Sequence, residues 1–250
     1  VAVMPLPEAS NYRKRLCAAA NNAFYYENDE KPPRMVPLDS LNLVLDTAAP
    51  LSMEEFQQKV YIVNGAVKKV VDFVNTKLDV EHIDQYPSRG STIEQTNASG
   101  TAQMIVDFVA RSGYNQTIYG RTISTVAFET GFAVSGGGIT AEESQTVNVT
   151  GITEPTTPHH YDWTTYAEDT AFYNELPPYA TILKRYRNRL ALSGNGTDPH
   201  QWYLTRQDNP YDMEYMQDDY QSAVAGQDAE AGKIGDIVTA CIPYGDDYCI

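Results

Sequence analysis

Seven apolar residues recur at intervals of three or four along residues 56–78, and this series constrains the fold more than any other feature of the chain. They are Phe56, Val60, Val63, Val67, Val70, Val74 and Leu78. Such spacing is typical of one face of an α-helix or of a coiled-coil seam. Ser52 and Glu55 precede the series with the spacing of a capping box, which marks a helix N-terminus. The sequence therefore predicts one long helix over residues 53–78.

The apolar face of this predicted helix allows two interpretations. It could join partner chains, which would make Val60, Val63, Val67 and Val74 candidate interface residues, or it could pack inside its own chain. Only about three to four heptads are present, so packing within the chain is slightly favoured. The pair Asn64-Gly65 lies in the middle of the helix and lowers its propensity by about 1 kcal/mol.

Residues 85–158 differ from the rest of the chain in composition. Thr, Ser and Gly are abundant there, and Lys is absent. Between residues 117 and 134, β-forming side chains occur on both sides of an alternating pattern, which favours an antiparallel sheet. The sequence therefore predicts a Thr/Ser/Gly-rich β region over residues 85–158.

Residues 159–250 are predicted to be a Tyr-rich helical region. One helix begins near Pro178 and another is capped by Asn209, with Pro210 as its first residue. Together with an N-terminal helical region over residues 1–84, this gives an α+β fold. Its long helix and helical C-terminal part flank a small antiparallel β region.

The charge of the chain excludes one class of partner. The formal net charge is −15 and the sequence pI is about 4.5. Nucleic-acid binding depends on Lys and Arg displacing counterions from phosphates, so we expect no nucleic-acid partner. No apolar run approaches the roughly 20 residues of a membrane span, so no membrane partner is expected either.

Sequence motifs for catalysis or metal binding are missing. The string at residues 244–247, Tyr-Gly-Asp-Asp, is similar to the metal-binding turn of viral RNA polymerases, but it stands alone and is interpreted as an ordinary acidic turn. His159 and His160 are adjacent and therefore point apart, and no H-E-x-x-H or C-x-x-C pattern accompanies them. The sequence thus predicts no catalytic residue, no cofactor and no metal site.

Two kinds of covalent modification are compatible with the sequence. Four N-x-S/T sequons are candidate glycosylation sites if the protein is secreted by a eukaryote: Asn97, Asn115, Asn148 and Asn195. Cys241 and Cys249 bracket a short turn, and a local disulfide is plausible in an oxidising compartment. Two free thiols are equally compatible with this spacing.

Tyrosine is unusually common, with 18 residues, and many of them are in polar surroundings. Tyrosine combines apolar area with a polar tip and is favoured at protein interfaces. We therefore take Tyr179, Tyr186, Tyr215 and Tyr220 as candidate interface residues. The alternative is that they are amphipathic residues at the edge of a core.

Residues 160–225 resemble a segment of bacteriophage virion proteins of the minor tail and baseplate-associated type. The resemblance rests on His160-Tyr-Asp-Trp-Thr-Thr-Tyr-Ala-Glu-Asp, on a helix from Tyr179 to Leu190, on Leu204-Thr205 and on a second helix from Asn209. It implies a structural part of a virion and no catalytic residues.

Three functional hypotheses follow from these observations. The first is a structural protein of a virion or extracellular assembly, which would contact other copies of itself or other structural proteins. The second is a secreted or surface glycoprotein that acts as a binding module. The third is an enzyme with a site assembled from distant residues, for which the best candidates are His159, His160, Asp162 and His200.

Overall fold

Every regular element that the structure describes is a β-strand, so the predicted α+β class is wrong. The structure is a computed structural model. The residues it describes are 2–8, 11–38, 45, 51–112, 115–166, 175–227, 237–244 and 247–249. Within these ranges there is neither the long helix over residues 53–78 nor a helical C-terminal part.

The strands are numbered in chain order. They are β1 (Ala2–Glu8), β2 (Asn11–Ala20), β3 (Ala23–Glu27), β4 (Met35–Pro37), β5 (Ser52–Phe56), β6 (Lys59–Val63), β7 (Lys68–Asp72), β8 (Thr76–Glu81), β9 (Ile83–Gln85), β10 (Thr92–Asn97), β11 (Gly100–Ser112), β12 (Asn115–Thr122), β13 (Ser135–Gly136), β14 (Thr140–Ala141), β15 (Asn148–Thr153), β16 (His159–Asp162), β17 (Ile182–Tyr186), β18 (Arg189–Ser193), β19 (Gln201–Leu204), β20 (Val224–Gln227), β21 (Ile242–Tyr244) and β22 (Asp247–Cys249).

The chain divides into two compact units. Unit 1 comprises Val1–Val71, His160–Thr165 and Phe172–Ile250, and unit 2 comprises Asp72–His159 and Tyr166–Ala171. Unit 1 contains the sheets β1-β2-β3-β4 and β17-β18-β19-β20, the pair β21-β22 and most of the sheet β16-β7-β6-β5. Unit 2 contains the six-stranded sheet β13-β10-β11-β12-β8-β15 and the pair β14-β9.

The segment predicted as one long helix forms the antiparallel hairpin β5–β6, then β7 and the start of β8. Gln57 and Gln58 make the two-residue turn between β5 and β6, with φ values of 51° and 62°. A turn with two positive φ values matches the twist of the hairpin strands. All five residues of β6 are buried. A strand buried on both faces is rich in apolar residues. Some of the apolar residues of β6 and of the strands beside it in sequence fall three or four positions apart, which is also the spacing of a helix face.

Two further turns divide the same segment. After β6, the Asn64 Oδ1 accepts hydrogen bonds from the N–H groups of Ala66 (3.1 Å) and Val67 (2.7 Å), so the Asn64-Gly65 pair lies in a loop. After β7, the Asp72 Oδ1 accepts from the N–H groups of Val74 (2.9 Å) and Asn75 (3.1 Å). Side-chain oxygens that accept from nearby backbone N–H groups are a typical means of making a turn.

The two helices predicted in the Tyr-rich region are also absent from the described residues. The segment after Pro178 is the hairpin β17–β18, with Arg187 and Asn188 at φ values of 44° and 57° in its turn. The segment after Asn209 is an irregular loop that leads into β20. The first of these corrections has the same cause as that of the long helix, since a turn without glycine joins two strands into one apparently continuous apolar pattern.

The core of unit 1 contains a cluster of buried aromatic residues. Trp163 is 1% exposed, and its ring meets that of Tyr61 edge-on at a centroid distance of 4.9 Å. The Trp163 Nε1–H donates to the carbonyl oxygen of Pro210 at 2.9 Å. The hydroxyl groups of Tyr161 and Tyr211 are 3.0 Å apart. Each polar tip in this set therefore has a hydrogen-bond partner, as buried Tyr and Trp require.

Candidate functional site

Residues 214–221, which we call the tyrosine loop, place three large side chains in solvent. Tyr215 is 63% exposed, Met216 is 47% exposed and Tyr220 is 99% exposed. The loop begins just after the buried residues 211–213 and ends just before the buried residues 222–223. Both of its ends are thus anchored in the core of unit 1.

Arg189, the first residue of β18, fixes the end of the tyrosine loop. It is buried, and its guanidinium donates to the carbonyl oxygens of Thr205 (2.8 Å), Ser222 (2.6 Å) and Tyr220 (2.9 Å). A planar guanidinium holds several acceptors in one fixed geometry. The backbone that carries Tyr220 is therefore held to the hairpin β17–β18.

Hydrogen bonds within the loop fix the rest of its backbone. The Ser222 hydroxyl donates to the carbonyl oxygen of Met216 at 3.0 Å, and the Asp219 N–H donates to the same oxygen at 3.1 Å. The Ala223 N–H donates to the carbonyl oxygen of Glu214 at 3.1 Å. With its backbone groups paired in this way, the loop displays its tyrosines from an ordered framework.

The side chain of Arg206 is held by two acidic residues, Asp219 within the loop and Asp212 just before it. It forms a hydrogen-bonded ion pair with Asp219, and its Nε is 3.8 Å from the Asp212 Oδ2. The pKa of Asp219 is lowered because its carboxylate accepts a hydrogen bond from the Gln221 N–H and a second one from Arg206. Burial, by contrast, raises the pKa of Asp212.

The tyrosine loop carries negative charge and no positive charge of its own. Glu214 is half-buried and Asp218 is exposed, and residues 207–227 include no Lys or Arg. The exposed tyrosines therefore share their loop with carboxylates and with no cationic side chain. Such a surface can attract cationic side chains electrostatically.

The predicted helical seam is not a surface of the molecule. Val60 and Val63 have 0% exposure in β6, and they pack inside the protein. Val67 and Val74 are half-buried and lie in turns rather than on a common helix face. The four valines thus do not form the continuous apolar stripe that a coiled coil requires.

The other two candidate tyrosines lie outside the tyrosine loop. Tyr179 is 60% exposed and precedes β17, whereas Tyr186 is half-buried at the end of β17. The Arg187 guanidinium lies over the Tyr186 ring at 5.4 Å from its centroid. Of the four tyrosines predicted from the sequence, the structure places Tyr215 and Tyr220 in one loop. Sequence reasoning did not identify Met216, Arg189 or Arg206 as parts of this site.

A cleft of about 610 Å³ in unit 1 is lined by residues of β7 and of the segment after β16. Burial lowers the pKa of Lys68, and its Nζ donates to the carbonyl oxygens of Leu176 (3.2 Å) and Pro177 (3.3 Å). The Nζ of Lys69 is 2.6 Å from the Asp162 Oδ1. Both ammonium groups are thus engaged by protein oxygens, which gives them a structural role.

The histidines considered for an enzymatic site do not form a metal cluster. In β16 the side chain of His159 is buried, that of His160 is half-buried and that of Asp162 is exposed. His200 is half-buried in a turn before β19. The described residues contain no group of three or more His, Cys, Asp or Glu side chains placed to hold a metal ion.

His159 is expected to make unit 2 sensitive to acid. Burial lowers its pKa, as does Lys77, while Asp72 raises it, and its ring lies 6.1 Å from that of Tyr119. The neutral form is therefore favoured in the folded chain, whereas the unfolded chain protonates below about pH 6.5. Stability should fall with decreasing pH by up to about 1.4 kcal/mol per pH unit until the lowered pKa is reached.

Urea denaturation between pH 7.5 and pH 5 checks this prediction. The variant His159→Gln keeps a polar side chain that does not titrate, and its free energy of unfolding should change less with pH than that of the parent chain. His82→Gln is the matched control, because His82 is only half-buried. Parallel pH profiles for the parent chain and His159→Gln would contradict the prediction.

The sequons differ in accessibility. Asn97 is 9% exposed, and its Nδ2 donates to the carbonyl oxygen of Ala127 at 2.9 Å. Asn195 is 2% exposed, whereas Asn148 is half-buried in β15. The side chain of Asn115 lies outside the described residues. Glycosylation stays a prediction, and its geometry is more favourable at Asn148 than at Asn97 or Asn195.

The C-terminal hairpin carries the predicted disulfide and the acidic turn. Cys241 is buried, and Cys249 lies opposite Ile242 across β21–β22. The side chain of Cys249 lies outside the described residues, as do Gly245 and Asp246 of the turn. The disulfide therefore stays a prediction.

In the part that the structure describes, no helix has the length and apolar character needed to cross a bilayer. No family model matches the sequence, and neither a curated protein nor a solved structure is similar to it.

Proposed function

We propose that the protein is a structural component of an assembly, a virion or an extracellular particle, and that it makes protein–protein contacts through the tyrosine loop. The observation that carries the proposal is the 99% exposure of Tyr220 on a loop whose backbone is fixed by hydrogen bonds. The partners would be other copies of the chain or other structural proteins.

The energetic argument depends on the order of the loop. A contact surface loses less entropy on binding when its backbone is already fixed, so more of the contact energy appears as affinity. Tyrosine side chains add large contact area with few rotatable bonds, and they are enriched among residues that dominate binding energy. Tyr215 and Tyr220 combine both properties.

Removal of both rings should disrupt the contact. In the double variant Tyr215→Ala/Tyr220→Ala, we expect the binding free energy to become less favourable by about 2 kcal/mol or more, which weakens association by roughly 30-fold or more. The measurement is incorporation of tagged protein into the native particle, together with sedimentation of the purified chain at rising concentration. Circular dichroism should show an unchanged fold, because both side chains are exposed.

Tyr179→Ala is the matched control for this experiment. Tyr179 is 60% exposed but lies outside the tyrosine loop, so its removal should leave association unchanged. Incorporation of the double variant at the level of the parent chain would refute the proposed function.

A further inference from the structure

The two arginines that contact the tyrosine loop, Arg189 and Arg206, are engaged by groups of unit 1. Arg189 is buried and bound to three carbonyl oxygens, and Arg206 is paired with Asp219 and Asp212. Glu214 and Asp218 belong to the same loop as the exposed rings, and residues 207–227 supply no Lys or Arg. A partner that covers the loop must therefore bring its own positive charge, since burying carboxylates without a countercharge is costly.

The exposed rings favour the same kind of partner. The face of a tyrosine ring carries negative electrostatic potential and attracts Arg or Lys side chains. Unit 1 uses this contact internally. The guanidinium of Arg185 lies over the ring of Phe56 at 5.3 Å, and the ammonium of Lys59 lies over that of Tyr211 at 5.6 Å. A cation over Tyr215 or Tyr220 would add a similar favourable contact.

A second copy of the chain fits this surface less well than a basic protein does. Each copy has a formal net charge of −15, with 33 acidic residues against 18 Lys and Arg. Several of the cationic groups are engaged internally, including those of Arg15, Lys69 and Arg89. Like-charged surfaces repel each other and slow association.

We infer that the tyrosine loop recognises a basic protein surface whose Arg and Lys side chains lie over Tyr215 and Tyr220 and pair with Glu214 and Asp218. This inference rests on the proposed function and narrows it. The partner is a different chain, a structural protein with a cluster of positive charge. Recognition depends on the rings and on the carboxylates together.

The test uses an arginine-rich peptide as the probe and a peptide with Glu in place of Arg as the reference. Binding to the full chain is followed by fluorescence anisotropy at low and at physiological salt. Two variants separate the two contributions. Tyr215→Ala/Tyr220→Ala keeps the net charge, and Glu214→Gln/Asp218→Asn keeps the rings. Glu94→Gln/Glu143→Gln is the control for charge, because it removes the same number of carboxylates at exposed positions elsewhere.

We expect each loop variant to bind the arginine-rich peptide about tenfold more weakly than the parent chain. The charge control should bind as the parent chain does, and added salt should weaken all binding. Equal binding by the parent chain and both loop variants would overturn the inference, because neither the rings nor the carboxylates of the loop would then contribute to peptide binding. Equal weakening of Glu214→Gln/Asp218→Asn and of the charge control would overturn it as well, because the peptide would then respond to net charge.

Incorporation of the variants into the native particle distinguishes a failure of this inference from a failure of the proposed function. In one outcome, Tyr215→Ala/Tyr220→Ala is lost from the native particle, whereas Glu214→Gln/Asp218→Asn is incorporated at the same level as the parent chain. The loop is then a contact surface whose partner is not basic, and the inference is overturned. Loss of both variants from the particle supports the inference. Retention of both overturns the inference and the proposed function together.

Discussion

Replacement of Trp163 by alanine is expected to lower the free energy of unfolding by about 3–5 kcal/mol. The side chain is 1% exposed and lies against the ring of Tyr61. Its removal creates a cavity between elements that come from distant parts of the sequence. It also leaves the carbonyl oxygen of Pro210 without its indole donor, which adds to the cost.

Urea denaturation followed by far-ultraviolet circular dichroism measures this loss. The signal does not depend on indole fluorescence, which the substitution itself changes. Trp163→Phe should lose less stability, since it keeps an aromatic ring and gives up only part of the packing and the Nε1–H donor. Tyr244→Ala is the surface control, because Tyr244 is 75% exposed and a change of about 0.5 kcal/mol or less is expected. Equal midpoints for Trp163→Ala and Tyr244→Ala would show that the aromatic cluster does not stabilise unit 1.

Arg189→Met should cost about 3 kcal/mol or more and release the tyrosine loop. The substitution keeps an unbranched chain but removes the donors to three carbonyl oxygens at once. Carbonyl groups left buried without a donor cost about 1–3 kcal/mol each, and local rearrangement recovers part of this. The loop at residues 214–221 should then be cleaved faster by proteases.

Limited proteolysis with mass spectrometry locates the cleavage, and denaturation gives the stability. Arg187→Met is the matched control, because Arg187 lies in the turn of the same hairpin and its side chain is exposed. Arg189→Lys should be intermediate, since one ammonium cannot reproduce the geometry of a guanidinium. If cleavage within residues 214–221 were the same in Arg189→Met and the parent chain, the loop would owe its order to other contacts.

The sequence predicted β-strands best where side chains alternate. The alternation near residue 117 corresponds to β12, although that strand ends at Thr122 and not near residue 134. The predicted β region over residues 85–158 also contains β11 and β15. These strands alternate between buried and exposed positions over part of their length, so period-two patterns could reveal them.

The helices were predicted wrongly because three hairpin turns lack the usual residues, and because the Asn64-Gly65 loop after β6 was interpreted as a weak point within a helix. Two-residue hairpin turns with positive φ strongly favour Asn-Gly or Asp-Gly. Here the turns are Asn21-Asn22, Gln57-Gln58 and Arg187-Asn188, in which every residue carries a side chain. Without glycine, each hairpin looks like a continuous amphipathic segment. Strands that are buried on both faces, such as β6, then supply apolar residues at helical spacings.

Part of the candidate site could be found from composition alone. Tyr215 and Tyr220 were selected from the sequence because tyrosines are dense in an acidic segment. Arg189 could not be recognised, since in the predicted helix it lay among polar residues outside the apolar face. Its acceptors are 16 to 33 residues later in the chain, so only tertiary structure brings them together.

The hydrogen bonds from Arg189 determine whether the tyrosine loop can be reproduced outside the protein. A synthetic peptide of residues 214–221 would contain both tyrosines but none of the donors that hold the carbonyl oxygen of Tyr220. Such a peptide would populate many conformations and should compete poorly with the intact protein. Grafting this surface onto another scaffold would require the β17–β18 hairpin as well as the loop.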